Sequence, residues 1–273
     1  MLHKYFLIVF IAVFFISCSE KDVIVPPFTA PESNRVVLIE ELTGVRCPNC
    51  PSGAAMLEDL DALYEGKLVI MAVHGDFDTE PMAQSKYDFR TEESRALENY
   101  LRPFWGKPSI AVNRVGDEEE MAFIGINRWA GIIEAELAKP HQMNIELNTE
   151  FDPSTRELTI DVGCLPLQDL TGNFNLSVAI TESNIIDAQV NQTVIIPDYT
   201  HKHVMRKMLT DYKGDQISTG FKANQVVNKS FEYTLPVTEG LWIPENCEVV
   251  AFVNKIDGNK KEVLQAAHAK VVH

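Results

Sequence analysis

The sequence predicts an α/β domain over residues 35–139 followed by an all-β sandwich over residues 140–273. Three observations carry this expectation. Continuous apolar runs alternate with stretches of helical periodicity as far as Lys139. Beyond Pro140 the chain changes to short strand signals separated by turn residues. A close cysteine pair, Cys47-Pro48-Asn49-Cys50, sits where an apolar run gives way to a helix-like stretch.

The N-terminus lies ahead of the fold. His3 and Lys4 precede an apolar run from Tyr5 to Ile16, and Ser17-Cys18 follows. The run is short for a membrane span and fits a signal-peptide core, so residues 1–17 read as a signal peptide. A short membrane anchor is the alternative. Ser17-Cys18 resembles a bacterial lipoprotein cleavage site, with Phe15 where that pattern prefers Leu, which makes Cys18 the expected lipidated residue. Residues 18–34, with Pro26, Pro27 and Pro31, read as an extended linker.

Val36–Glu41 is a strand candidate leading into the cysteine pair. Met56, Leu57, Leu60, Leu63 and Tyr64 then recur at helical spacing, and Gly66 is a C-terminal stop. Leu68–Val73 is apolar throughout, as a strand covered on both faces would be. Asp76–Trp105 is longer than an ordinary connection and holds a helix candidate around Glu92–Leu101. Pro108–Val112 is another strand, and Gly116-Asp117 a turn before a short strand. The last helix candidate places Trp129, Ile132, Ile133 and Leu137 on one face, and Pro140 ends it. This order indicates a sheet with helices on both faces.

In the second segment strand signals fall at 143–151, 157–164, 174–181, 203–210, 226–235, 248–255 and 263–272. Asp152-Pro153, Thr171-Gly172, Lys213-Gly214 and Asp257-Gly258 separate several of them. Short strands at this spacing suggest an antiparallel sandwich.

The formal charge of −15 argues against nucleic acid as a partner. The five cysteines sort into a lipid site at Cys18, the pair Cys47/Cys50, and Cys164 with Cys247. The last two each fall in a strand of the β-segment. In an oxidising compartment they could bridge two sheets, closing a loop of roughly 80 residues for about 4 kcal/mol, or remain two buried thiols.

The close pair has three readings: a redox couple, an inert disulfide, or half of a metal site. Zinc needs two further ligands, and residues 35–139 hold no second close cysteine pair and no His-rich loop. Pro51 directly after Cys50 excludes a c-type haem site. No metal or cofactor is expected. For redox work a thiolate is required, and an ordinary thiol with a pKa of about 8.5 is only a few per cent ionised at neutral pH. A helix start and the adjacent Arg46 could lower it. Glu40 and Glu41 end the preceding strand, where one of the two can point inward. His74 and Asp76 follow the next strand, and His201 with His203 would share one face of a strand; capping and packing are the plainer roles for all four.

Residues 35–139 resemble thioredoxin. The resemblance rests on Cys47 and Cys50 at a strand-to-helix turn, Glu41 six residues earlier, Pro108 after Gly106-Lys107, and the element order. It implies Cys47 as nucleophile, Cys50 as resolving thiol, Glu41 as a buried proton relay and Pro108 as a cis-proline facing the pair. Lys107 would then stand near Cys47 beside Arg46. Nearly all of residues 18–273 is also similar to the outer membrane protein 28-related family of Gram-negative lipoproteins. Leu42-Thr43-Gly44, Gly106-Lys107-Pro108-Ser109 and Tyr199–Arg206 carry that likeness.

The resulting expectation is an α/β thioredoxin-like domain followed by an all-β immunoglobulin-like sandwich, tethered by lipid to the outer membrane and facing the periplasm or the cell surface. Its expected activity is thiol–disulfide exchange on exported proteins; the alternative is a non-catalytic surface binding or adhesion lipoprotein. The first reading requires Cys47 open to solvent beside positive charge, with Cys50 as partner.

Overall fold

Strand β1 (Val37–Leu42) shows how this chain assembles. In the computed structural model, which describes residues 34–273, all six of its side chains are buried. It is a central strand, parallel to β2 (Leu68–Val73) and antiparallel to β3 (Ser109–Val112), with β4 (Phe123–Ile124) beyond. Helices α1 (Cys50–Tyr64), α2 (Glu92–Tyr100) and α3 (Trp129–Leu137) cover this part of the sheet. Val37, Ile39, Ile70, Ile110 and Val112 meet Leu57, Leu60, Trp129 and Ile133 of α1 and α3 on one face. Leu42, Met71 and Val73 meet Leu97 of α2 on the other. Alternation along β1 thus feeds two cores, each side chain contributing about 1.5–3 kcal/mol of burial.

The remaining strands are β5 (Met143–Asp152), β6 (Glu157–Pro166), β7 (Leu170–Glu182), β8 (Ile185–Asn191), β9 (Val194–His201), β10 (Val204–Met208), β11 (Asp215–Phe221), β12 (Val227–Thr234), β13 (Cys247–Ile256) and β14 (Val263–Lys270). Strands β12, β6 and β5 form a separate three-stranded sheet. Its Leu158, Ile160 and Val162 pack on Leu176, Val178, Val249 and Ala251 of β7 and β13. Strands β8 and β9 form a hairpin of their own.

The predicted fold class is corrected here. The chain does not form an α/β thioredoxin-like domain followed by an independent immunoglobulin-like sandwich. It is mostly β, with fourteen strands and three α-helices among the described residues. One nine-stranded sheet runs β14-β13-β7-β10-β2-β1-β3-β4, with β11 on β7, so strands from both sides of residue 140 share it. The junction is β10 against β2, where Val204 faces Ala72 and the Ala72 amide donates to the His203 carbonyl at 2.8 Å. The reason is physical: β2 would otherwise present an unpaired apolar edge, and β10 covers it. Periodicity reports which residues form strands, not which edges meet.

Cys164 and Cys247 are also corrected. Both are free thiols packed in the core between the two sheets, and burial pushes each up to about 12. Falling in strands of the same sandwich does not bring two sulfurs to bonding distance. His201 and His203 do not share a strand face: His201 ends β9, and His203 lies in the turn before β10 with a left-handed φ of 53°. No helix among the described residues is long and apolar enough to cross a membrane. The signal peptide at 1–17, Cys18 and the linker as far as residue 33 lie outside the described residues.

Candidate functional site

The turn after β1 brings the cysteine pair together. The Cys47 amide donates to the Gly44 carbonyl at 3.0 Å, and Cys50 opens α1 with Pro51 next, where a missing N–H costs nothing. Cys47 and Cys50 form a disulfide with their Cα atoms 5.4 Å apart. Gly44 must be glycine: a Cβ there would stand 2.2 Å from the Asp78 carbonyl oxygen. The long segment after β2 is therefore seated against the cysteine turn.

Pro108, preceded by a cis peptide, also lies against α1. A Cβ on Gly53 would come within 2.8 Å of the Pro108 ring. The two expected cations are engaged elsewhere. Arg46 is exposed and donates through its guanidinium to the carbonyls of Glu80 and Pro81 at 2.7 and 2.8 Å. Lys107 is buried 2.7 Å from Glu98, donates to the Phe77 carbonyl, and is held below its ordinary pKa by burial against the opposing pull of Glu98.

The pair is covered. Cys47 is 1% exposed and Cys50 2%, although Pro48 and Asn49 between them face solvent. The open Cys47 that the exchange reading requires is therefore not what the resting fold presents. The cover is the β8–β9 hairpin, about 140 residues away in sequence. Gln189 reaches in and donates to the carbonyls of Gly44 and Cys47 at 3.2 and 3.1 Å. The amides of Val190 and Gln192 donate to the carbonyls of Val45 and Pro48, each at 2.9 Å. Asp187 accepts from the Lys86 and Tyr87 amides, fastening the hairpin to the long segment as well. Nothing in the sequence marked this hairpin as part of the site.

Beneath the disulfide lies a cavity of about 40 Å³, room for a very few waters, shared by Glu41, Cys50, Gln189 and Tyr199. Glu41 is buried, and its Oε1 has no hydrogen-bond partner. Burial raises its pKa to about 8, against a Thr43 hydrogen bond that lowers it, while the Glu58 charge raises it further. At neutral pH Glu41 therefore carries a proton. Glu40, expected to point to solvent, is buried too, because β1 is covered on both faces. Its carboxylate takes two bonds from Arg114, at 2.8 and 2.6 Å.

His74 also lines the cavity and is held well below its ordinary range by burial, with nearby His201, Lys107 and Arg206 adding repulsion. His201 packs its ring against Tyr199 and Phe89 and is lowered to about 4 by burial. Both imidazoles are neutral. Asp76 lies outside this cavity; its amide donates to Glu98.

The family described as outer membrane protein Omp28 matches residues 96–273, the part that contains the covering hairpin and β10, the strand that joins β2. Among curated proteins none matches. HBP35 of Porphyromonas gingivalis is similar in structure, with a TM-score of 0.69 and 17% identity over 88% of this chain and 76% of that one. Protein AGR_C_4864 from Agrobacterium tumefaciens is similar at a TM-score of 0.53 and 11% identity, over 88% of this chain and 96% of that one. At these identities the two structures speak for the fold alone. With the family match spanning well over half its length, the chain belongs to the Omp28 outer membrane protein family.

Proposed function

We propose that the chain is a lipid-anchored envelope protein of a Gram-negative outer membrane that exchanges disulfides with exported polypeptides, and that its Cys47–Cys50 pair is covered at rest and exposed when the β8–β9 hairpin lifts. The observation that carries this reading is Glu41. A buried carboxyl with an unpartnered oxygen is expensive to keep, and a structural disulfide has no use for one.

In the proposed step a substrate thiolate attacks the Cys47 sulfur. The new mixed disulfide forms as the Cys47–Cys50 bond breaks, and Cys50 leaves as a thiolate. Glu41, protonated at neutral pH, gives Cys50 its proton. A second substrate thiolate then displaces Cys47, so the substrate loses two electrons and the pair gains them. The reverse sequence reduces a substrate disulfide. The start of α1 at Cys50 favours its thiolate.

The test is insulin reduction and recovery of scrambled ribonuclease by the full chain. Turnover is expected in the native protein, abolished by Cys47→Ser and slowed about tenfold by Glu41→Gln. Absence of turnover both in the native chain and in Gln189→Ala, which loosens the cover, would overturn the proposal. A second reading, a binding scaffold with an inert disulfide, is favoured by the burial of both sulfurs and by the engagement of Arg46 and Lys107 elsewhere. A reduction potential below about −300 mV together with no turnover would establish it.

A further inference from the structure

A second cavity, of about 730 Å³, opens between the end of α2, the segment after β3 and the β13–β14 turn. Its charge runs against that of the molecule. The chain as a whole is at −15, yet five basic and three acidic side chains line this space. Two of the acids are already occupied: Glu262 pairs with Lys139 at 2.8 Å, and Asp117 accepts two backbone amides.

Lys139 is likewise spent on Glu262 and Glu136, and Arg102 on Asn99 and the Phe104 ring, but two other cations keep donors in hand. The Arg114 side chain is wholly buried, with Nε and Nη2 spent on Glu40 and Nη1 without any partner. It is held between the Tyr100 and Phe252 rings, 5.5 and 4.8 Å from their centres. Lys261 is 9% exposed; its ammonium stands 3.9 Å from the centre of the Tyr100 ring and donates to the Tyr100 carbonyl. That leaves further N–H groups on a nitrogen nearly removed from water. Burial lowers the Lys261 pKa to about 8, with the charges of Arg114 and Lys213 pushing the same way and Glu40 opposing. Exposed Lys260 stands beside it at the rim. Buried N–H groups without acceptors, beside the exposed Lys260 ammonium, describe a place for an anion.

We propose that this cavity binds a small organic carboxylate. Lys261 and Lys260 hold the charge, the free edge of Arg114 donates to it, and Tyr100, Pro103 and Met121 receive an apolar body. The size of the space separates this from capture of a bare anion. A volume of this order suits a ligand of many atoms, and inorganic phosphate would leave most of it unfilled. The proposal does not depend on the chemistry of the cysteine pair.

Calorimetric titration of the full chain with phenylacetate, its neutral isostere phenylacetamide, and inorganic phosphate tests it. Phenylacetate is expected to bind saturably with a millimolar dissociation constant, and phenylacetamide at least tenfold more weakly. Lys261→Met and Lys260→Glu should each weaken phenylacetate at least fivefold. If Lys261→Met fails to fold, the exposed Lys260→Glu decides. Equal affinity for acid and amide, tighter binding of phosphate than of phenylacetate, or unchanged affinity in the folded variants would overturn the assignment.

Discussion

Glu40 and Glu41 are consecutive on β1, both are buried, and the sheet sends them to opposite faces. On the face toward α2, Glu40 meets Arg114 and both of its oxygens are bonded. On the face toward α1, Glu41 keeps one oxygen without a partner and shares a small cavity with Cys50. Strand, solvent exposure and side-chain chemistry are the same; only the facing partner differs. One carboxylate has been made part of the structure and the other left available for protons. A buried ion pair says little about activity, whereas a buried acid with one oxygen unpaired at a disulfide is a reason to look for chemistry.

The strongest way to break this comparison is to remove one half of the satisfied pair. Glu40→Ala leaves the Arg114 guanidinium buried without a counter-charge and is expected to destabilise the fold by about 3–5 kcal/mol in urea unfolding. Replacing both partners, as Glu40→Leu with Arg114→Met, should recover most of that loss. If Glu40→Ala alone costs under about 1 kcal/mol, Glu40 is not a structural group.

Glu41 should behave in the opposite way and as a function of pH. Its pKa rises from an ordinary value of 4.5 to about 8 in the fold. Below 4.5 the carboxyl is protonated in both folded and unfolded chains and burial carries no ionisation penalty. As pH climbs toward 8 the unfolded chain ionises first, so this group removes stability by up to about 1.4 kcal/mol per pH unit. Glu41→Gln should abolish that decline, leaving the variant more stable than the native chain at about pH 8 and no more stable at about pH 4. Parallel stability profiles for the two proteins would remove the case for a buried neutral acid.

These two residues also mark how far the sequence could be read. The turn, the helix that follows the cysteine pair, the apolar strand 68–73 and the helix ending before Pro140 were legible because each is a local pattern. Glu41 could be picked out only through the resemblance, which puts an acid six residues before Cys47. That Glu40 would be buried as well was hidden, since its partner Arg114 follows a strand 70 or so residues later and no periodicity links them. The covering hairpin was hidden for a second reason. Pro197 lies inside β9, where a strand is not expected, and β8 shifts register between Asp187 and Gln189, so neither strand gives a clean alternating signal. β11, with Gly220 and two register shifts of its own, was missed likewise. A sheet shared by both halves needs β10 to find β2, a choice of edge that local composition does not encode.

The hairpin offers a smaller test that bears directly on the face of Glu41. Gln189 donates to two carbonyls of the cysteine turn, and net values of about 0.5–1.5 kcal/mol per hydrogen bond make its loss worth one to two such bonds. Gln189→Ala is expected to speed reduction of the disulfide by dithiothreitol about tenfold, with a loss of about 1–2 kcal/mol in overall unfolding. An unchanged rate would mean that the sulfurs become accessible by some route other than the hairpin.

The smallest expected effect belongs to Arg46, and it separates two ideas about charge at this site. The sequence placed its guanidinium where it could stabilise a Cys47 thiolate. The fold instead uses it to hold the carbonyls of Glu80 and Pro81 at an exposed position. Solvent screens an exposed charge, so Arg46→Ala should shift the alkylation pKa of reduced Cys47 by no more than a few tenths of a unit and cost under about 1 kcal/mol of stability. A shift of a full unit would mean that Arg46 turns toward the sulfur once the disulfide opens. The α1 face would then carry an activating cation as well as a buried acid, and the contrast with the Arg114-bound Glu40 would widen from one residue to the whole site.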